Sequence, residues 1–327
     1  MIPFTYERAR DVTGAVDFLR DNPGAKLLAG GTNLVDHMKL GVADPPVLVD
    51  ISRLPLDEIG ENPDGSLRLG ATARNADTAA HPLVRRRYPV LSRALLSGAS
   101  PQLRNLATNA GNLLQRTRCV YFQDVTTPCN KRSPGSGCSA LGGYTRHHAI
   151  LGASENCVAT HPSDMAVALT ALDARVVVQG PDGEREFDVR ALHRLPGEHP
   201  DRDTVLEPHD VIVAINVPAP RPGAVSTYRK VRDRASYAFA LVSVGAELSI
   251  DGGVIDDARI AFGGVAHKPW RAERAESVLR GNRPSAELFA AAADAELTDA
   301  QVLEGNAYKV PLARRTLMAT LRELSAR

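Results

Sequence analysis

The chain has 327 residues, a formal net charge of +1 at pH 7 and 43% hydrophobic residues, a composition typical of globular proteins. The balanced mixture of charges gives no sign of a nucleic-acid-binding surface. No apolar run approaches the roughly 20 residues that span a bilayer. The N-terminus has neither a basic segment followed by an apolar one nor a twin arginine, so we expect no export signal on this chain.

The first motif in chain order is a double glycine between a predicted strand and a predicted helix. Residues 26–29 are a predicted strand that ends at Gly30 and Gly31, and residues 34–39 are a predicted helix. Glycine permits positive φ and close backbone approach, and backbone N–H groups at such a turn bind anions. The segment has neither the P-loop nor the GxGxxG pattern. It is therefore either an anion-binding loop or an ordinary strand-to-helix turn.

Short strands and helices alternate through the first half of the chain, which indicates an α/β or α+β fold. A proline-rich segment near residue 220 marks a linker. Beyond it the pattern predicts three strands followed by three helices, in the ranges 226–231, 238–250, 254–265, 270–279, 286–295 and 311–324.

The four cysteines lie together in a polar, glycine-rich stretch that has the composition of a loop. Three interpretations of Cys119, Cys129, Cys138 and Cys157 stay open. Disulfides are typical of small exported domains, and the missing export signal favours metal over disulfide. The intervals lack the CxxC pairs that are typical of zinc sites, and they match neither common ferredoxin spacing.

Basic residues surround these cysteines in the sequence. They could offset the negative charge of an iron–sulfur cluster, or they could belong to an ordinary solvated loop. They are Arg116, Arg118, Lys131, Arg132, Arg146, His147 and His148.

Four motifs together resemble the FAD-binding subunit of the xanthine dehydrogenase/molybdenum hydroxylase family. They are KLLAGGTNL (26–34), TNAGNLLQ (108–115), THPSD (160–164) and FGGVAHKPWRA (262–272), in the family's order along essentially the whole chain. The cysteine insert is not general to that family. It is similar to the subgroup typified by the flavoprotein subunit of periplasmic aldehyde oxidoreductase, which also holds a [4Fe-4S] cluster.

This resemblance implies an α+β fold. Residues 1–220 would form an FAD-binding domain of the PCMH/VAO type, with two α/β subdomains at about 1–55 and 56–220. A [4Fe-4S]-binding insert would occupy about 116–158. Residues 221–327 would form a domain similar to the C-terminal domain of CO dehydrogenase flavoproteins, with a three-stranded antiparallel sheet and helices.

The resemblance also implies roles for particular residues. The loop that would wrap the FAD pyrophosphate comprises Lys26, Leu27, Leu28, Ala29, Gly30, Gly31, Thr32, Asn33 and Leu34. Along the flavin and its ribityl chain would lie Thr108, Gly111 and Asn112. Asp164 and Lys230 would also reach the FAD cofactor. The cluster ligands would be Cys119, Cys129, Cys138 and Cys157. No catalytic acid, base or nucleophile is expected in this chain.

The implied function is electron transfer within a heterotrimeric aldehyde oxidoreductase. A large molybdenum-cofactor subunit would oxidise the aldehyde, and a small [2Fe-2S] subunit would pass electrons to FAD in this chain. An external acceptor would then receive them. The resemblance implies a periplasmic location through co-export with a signal-bearing partner, with the cytoplasm as the alternative.

Two other functions stay open at this point. One is a stand-alone flavin oxidoreductase, and the other is a structural subunit whose cysteines bind zinc. We expect neither nucleic-acid binding nor membrane insertion.

Overall fold

A computed structural model describes residues 1–326, and Arg327, the last residue of the predicted C-terminal domain, lies outside the described residues. The N-terminal part is a parallel sheet in the order β1-β3-β2. Its first helix begins where the side chain of Asp11 accepts a hydrogen bond from the Gly14 N–H. The elements are β1 (Thr5–Arg8), α1 (Val12–Asp21), β2 (Lys26–Leu28), α2 (Leu34–Leu40) and β3 (Val47–Asp50).

The second part is an antiparallel sheet in the order β4-β5-β8-β6-β7. Its strands are β4 (Ile59–Glu61), β5 (Leu67–Gly70), β6 (Arg175–Gly180), β7 (Gly183–Asp188) and β8 (Val211–Val217). Its helices are α3 (Asn75–Ala80), α4 (Pro82–Arg87), α5 (Pro89–Ser97), α6 (Pro101–Arg104), α7 (Asn109–Leu113), α8 (Val120–Gln123), α9 (Asp164–Ala171) and α10 (Val189–Leu192).

The C-terminal part is an antiparallel sheet in the order β12-β11-β10-β9, followed by helices. The three predicted strands are present, although the middle one begins at residue 242 rather than 238. Residues 270–271, which the pattern placed in a helix, form a fourth short strand because they pair with Phe262 and Ala261. The elements are β9 (Val225–Val231), β10 (Val242–Asp251), β11 (Val254–Gly263), β12 (Trp270–Arg271), α11 (Glu273–Leu279), α12 (Ala286–Leu297) and α13 (Lys309–Ser325).

Helix α9 joins the second and third parts of the molecule. All of its residues are buried, and it packs against α5 and against strands β10 and β11. Gly263 makes this close packing possible, because a Cβ atom there would lie 2.6 Å from Cγ2 of Val167. The start of α9 is thereby fixed at the junction of the domains. Within residues 1–326 no helix is long and apolar enough to span a membrane.

Candidate functional site

A cavity of about 710 Å³ lies where the three parts of the molecule meet. We call it the large cavity. Its wall combines the turn after β2, helix α7, the start of α9 and the C-terminal sheet. Residues that define these walls are Thr32, Asn33, Gly111, Asn112, Asp164 and Gly264. A cavity of this size and mixed polarity is large enough for an organic cofactor.

The predicted phosphate loop reaches this cavity through its last residues. Thr32 and Asn33 line the large cavity, and Leu34 is the first residue of α2. Gly31 has a φ of +69°, a conformation that favours glycine. A Cβ atom on Gly30 would lie only 2.0 Å from the carbonyl oxygen of Leu106. The double glycine therefore lets this loop pack directly on the segment before α7.

The earlier residues of the same loop support it from β2. Lys26 is exposed, and Leu27, Leu28 and Ala29 are half-buried. Strand β2 pairs with β3 from Lys26 to Leu28, which holds the start of the loop on the sheet.

The second predicted loop, at 108–112, is held by side-chain hydrogen bonds. Thr108 caps α7, and its Oγ1 accepts a hydrogen bond from the Gly111 N–H at 3.3 Å. Asn112 Nδ2 donates to Asn75 Oδ1 at 2.6 Å, and Ser163 Oγ donates to Asn112 Oδ1 at 2.6 Å. Gly111 and Asn112 thus line the large cavity, while the buried Thr108 orients the helix behind them.

Asp164 and Lys230 form a buried ion pair at the edge of the large cavity. Lys230 Nζ lies 2.7 Å from Asp164 Oδ2, and the two side chains are 3% and 7% exposed. Tyr228 Oη donates to the other carboxylate oxygen at 2.5 Å, and Lys230 also donates to the Ser97 carbonyl at 3.0 Å. Because Ser163 provides the N-cap of α9, Asp164 is free to face the cavity.

The four cysteines line a second, small cavity, which we call the cysteine cavity. All four are free thiols. Burial raises the pKa of Cys119 to about 11 and that of Cys157 to about 12. These thiols would therefore need a cation to become thiolates near neutral pH.

A tight loop brings Cys129 opposite Cys138 in an isolated antiparallel bridge. Asn130 closes this loop, because its N–H donates to the Gly137 carbonyl and its Oδ1 accepts from the Gly137 N–H, both at 2.7 Å. Cys119 precedes α8, and it lines both the cysteine cavity and the large cavity. The two cavities therefore share a wall at Cys119.

Most of the basic residues near the cysteines have partners of their own. Arg118 pairs with Asp36 at 3.2 Å, and Arg146 pairs with Asp233 at 2.7 Å. Arg132 donates to the carbonyls of Tyr121 and Phe122, which fixes the turn after Cys119. These side chains hold the fold of the segment rather than point as free charges at the cysteines.

Lys131 differs from these residues, because it is buried and lines the cysteine cavity. It pairs with Asp203 and donates to the Pro200 carbonyl at 2.7 Å. Arg116 contacts the same carboxylate at 2.5 Å. These two cations hold the pKa of the half-buried Asp203 well below its usual range.

Sequence reasoning missed Asp203, because the contact that matters is with Lys131, 72 positions away. It grouped His148 with the basic residues, but its Nε2 lies 3.1 Å from Cys119 Sγ. Among residues 1–326, no group of three or more His, Cys, Asp or Glu side chains is arranged to hold a metal ion.

Comparisons with protein families and known proteins cover nearly the whole chain. Residues 2–220 match the FAD binding domain in molybdopterin dehydrogenase, and residues 226–324 match the CO dehydrogenase flavoprotein C-terminal domain. The chain is 51% identical to the aldehyde oxidoreductase FAD-binding subunit PaoB of Escherichia coli (strain K12), over 100% of this chain and 99% of that protein.

More distant relatives share the same architecture. The carbon monoxide dehydrogenase medium chain of Hydrogenophaga pseudoflava is 31% identical over 100% of this chain and 99% of its own length. A solved structure of carbon monoxide dehydrogenase from that organism, lacking the Mo-pyranopterin moiety of its cofactor, superimposes with a TM-score of 0.79. It shares 29% identity and covers 100% of this chain and 99% of its own. The predicted fold class is confirmed.

Proposed function

Because the chain belongs to the family of FAD-binding medium subunits of molybdenum hydroxylases, we propose that it is the electron-transfer subunit of an aldehyde oxidoreductase complex. It is an oxidoreductase subunit rather than a complete enzyme. The observation that carries the aldehyde assignment is the 51% identity, over its full length, to an aldehyde oxidoreductase FAD-binding subunit.

The large cavity is the proposed FAD site. The backbone N–H groups of the turn at Gly30 and Gly31 would offset the pyrophosphate charge, with Thr32 and Asn33 adding side-chain hydrogen bonds. Gly111, Asn112 and Asp164 would contact the rest of the cofactor. FAD, when bound, supplies the exchange of one or two electrons. The residues of this chain bind it and orient it.

Lys230 would act on the cofactor through Asp164. Its ammonium is already paired with that carboxylate at 2.7 Å, and both groups are almost fully buried. A buried carboxylate without a cation would be costly. Lys230 therefore offsets the Asp164 charge and holds this carboxylate at the wall of the cavity, where it can accept a hydrogen bond.

The cysteine cavity is the proposed site of a [4Fe-4S] cluster. The type of donor fits this group, because the chain's four cysteines line one cavity and thiolates are the usual ligands of such clusters. The buried Lys131 ammonium would offset part of the cluster's negative charge. The cluster would supply one-electron exchange when bound.

In the proposed complex, an aldehyde and water yield a carboxylic acid, two protons and two electrons at a partner that carries the molybdenum cofactor. A small partner with [2Fe-2S] clusters would deliver the two electrons to this chain. An external acceptor would take them up and be reduced. We further propose export of the folded complex on a partner's signal, which the similarity of the cysteine segment to a periplasmic subgroup supports.

The test compares the isolated chain with the complex under anaerobic conditions. An aldehyde should bleach the flavin absorbance of the complex within seconds to minutes and leave the isolated chain unchanged. Bleaching of the isolated chain by aldehyde would identify a stand-alone flavin oxidoreductase. Failure of the complex to bleach, with its molybdenum content verified, would refute the assignment to aldehyde oxidation.

A further inference from the structure

His148 lies against Cys119 at the wall that separates the two cavities. Its Nε2 is 3.1 Å from Cys119 Sγ, and the residue is only 3% exposed. Both residues line the large cavity, and Cys119 also lines the cysteine cavity. This contact is therefore on the side of the cysteine cavity that faces the proposed FAD site.

The backbone and ring of His148 are fixed from several directions. Its carbonyl accepts hydrogen bonds from Lys309 Nζ at 2.9 Å and from Asn306 Nδ2 at 3.4 Å. Its own N–H donates to the Thr145 carbonyl at 3.0 Å. The imidazole stacks on Tyr121, with 6.5 Å between ring centroids. The backbone contacts hold this residue in place, and the neighbouring Tyr121 ring restricts the rotation of its imidazole away from the sulfur.

The contacts of the two ring nitrogens favour one site for the imidazole proton. Nδ1 of His148 is buried and has no partner among residues 1–326. A proton on Nδ1 would leave a buried donor unsatisfied, whereas a proton on Nε2 is directed at Cys119 Sγ. The favoured tautomer therefore donates an N–H···S hydrogen bond.

On the premise that the cysteine cavity holds the proposed [4Fe-4S] cluster, we propose that His148 is a positioning residue. It raises the reduction potential of the cluster through its hydrogen bond to the Cys119 sulfur. Hydrogen bonds to ligand sulfurs are among the features that set cluster potentials. Reduction adds negative charge to the sulfurs, so the donor stabilises the reduced form more than the oxidised one. Its loss lowers the potential.

The test is an EPR-monitored redox titration of the full-length chain, prepared anaerobically, with iron, sulfide and FAD quantified in each sample. His148→Phe keeps a ring but removes the donor, and His148→Gln restores an amide N–H. His209→Phe is the matched control, because His209 lines neither cavity.

We expect four irons per chain in every variant, as a four-cysteine cluster requires. The potential of His148→Phe should fall by about 59 mV, a tenfold change in the one-electron equilibrium. His148→Gln should fall less, and His209→Phe should not change. Equal potentials in all four proteins would overturn the proposal. Loss of iron from both His148 variants, with FAD retained, would overturn it by making His148 a ligand or an assembly residue. Absence of iron from the unaltered chain would instead refute the cluster itself.

Discussion

Replacement of Gly30 by alanine tests the double-glycine turn most sharply. The added Cβ atom would lie 2.0 Å from the Leu106 carbonyl oxygen and 2.7 Å from its carbon. Real Cβ contacts under 3.0 Å essentially do not occur, so the two loops must separate by at least about 1 Å. Both contacts are with backbone atoms, which cannot relieve the clash by changing a rotamer.

A separation of this size is enough to break a hydrogen bond between the turn and a bound phosphate. A charge-assisted hydrogen bond contributes about 1.5–3 kcal/mol, which corresponds to a loss of about tenfold to 100-fold in affinity. We therefore expect Gly30→Ala to bind FAD at least tenfold more weakly than the unaltered chain.

The assay is fluorescence quenching of FAD on titration with apoprotein, with circular dichroism to verify folding. Gly60→Ala is the matched control, because a Cβ atom there would meet only the flexible Glu58 carboxylate at 3.8 Å. If Gly30→Ala does not fold, Gly31→Ala replaces it, since its Cβ atom would meet side chains rather than backbone and its φ of +69° adds only local strain. Equal FAD affinity of the glycine variants and the Gly60→Ala control would refute the assignment of this turn to FAD.

Three further predictions concern buried groups. Lys230→Met leaves the Asp164 charge buried, so urea unfolding should show a loss of about 3–5 kcal/mol in the free energy of unfolding. The control Arg274→Met breaks only the exposed pair with Asp299 and should lose at most about 1 kcal/mol. Equal losses in the two variants would contradict this prediction. Burial lowers the pKa of Lys309 to about 7, so above pH 7 the unfolded chain binds more protons than the folded one, and stability rises with pH. Relative to Lys309→Met, the free energy of unfolding of the unaltered protein should therefore rise by about 2–3 kcal/mol between pH 7 and pH 9. A constant difference between the two proteins would show that the pKa of Lys309 is not depressed. Cys129→Ser should lose cluster iron and keep FAD, and retention of four irons per chain would show that Cys129 is not a required ligand.

Local patterns in the sequence predicted many of the elements, including the strand and the helix on either side of the double glycine. The strand, double glycine and helix at 26–40 are adjacent in the chain, and their residue types carry the conformational requirement that the structure shows at Gly31. The clustering of the cysteines was likewise visible without a structure. The boundaries of β10 and the short strand β12 were not, because they depend on pairing with β11 across a turn.

The contacts that shape the sites could not be read from the sequence, because they join distant positions. Lys230 and Asp164 are 66 positions apart, and Arg116 and Asp203 are 87 apart. His148 and Cys119 are separated by 29 positions. Nothing local distinguishes a buried basic residue from one nearer the surface, so Lys131 and Arg132 looked equivalent in the sequence although Lys131 is buried and Arg132 is half-buried.

Quantification of FAD, iron, sulfide and zinc in one anaerobic sample, together with its visible spectrum, tests the central claim most directly. We expect one FAD per chain, with about four irons and four sulfides as a four-cysteine cluster requires, and no stoichiometric zinc. Flavin with zinc and without iron would keep the FAD site and contradict the cluster. Folded protein with neither flavin nor iron, even after incubation with FAD, would contradict the function proposed for this chain.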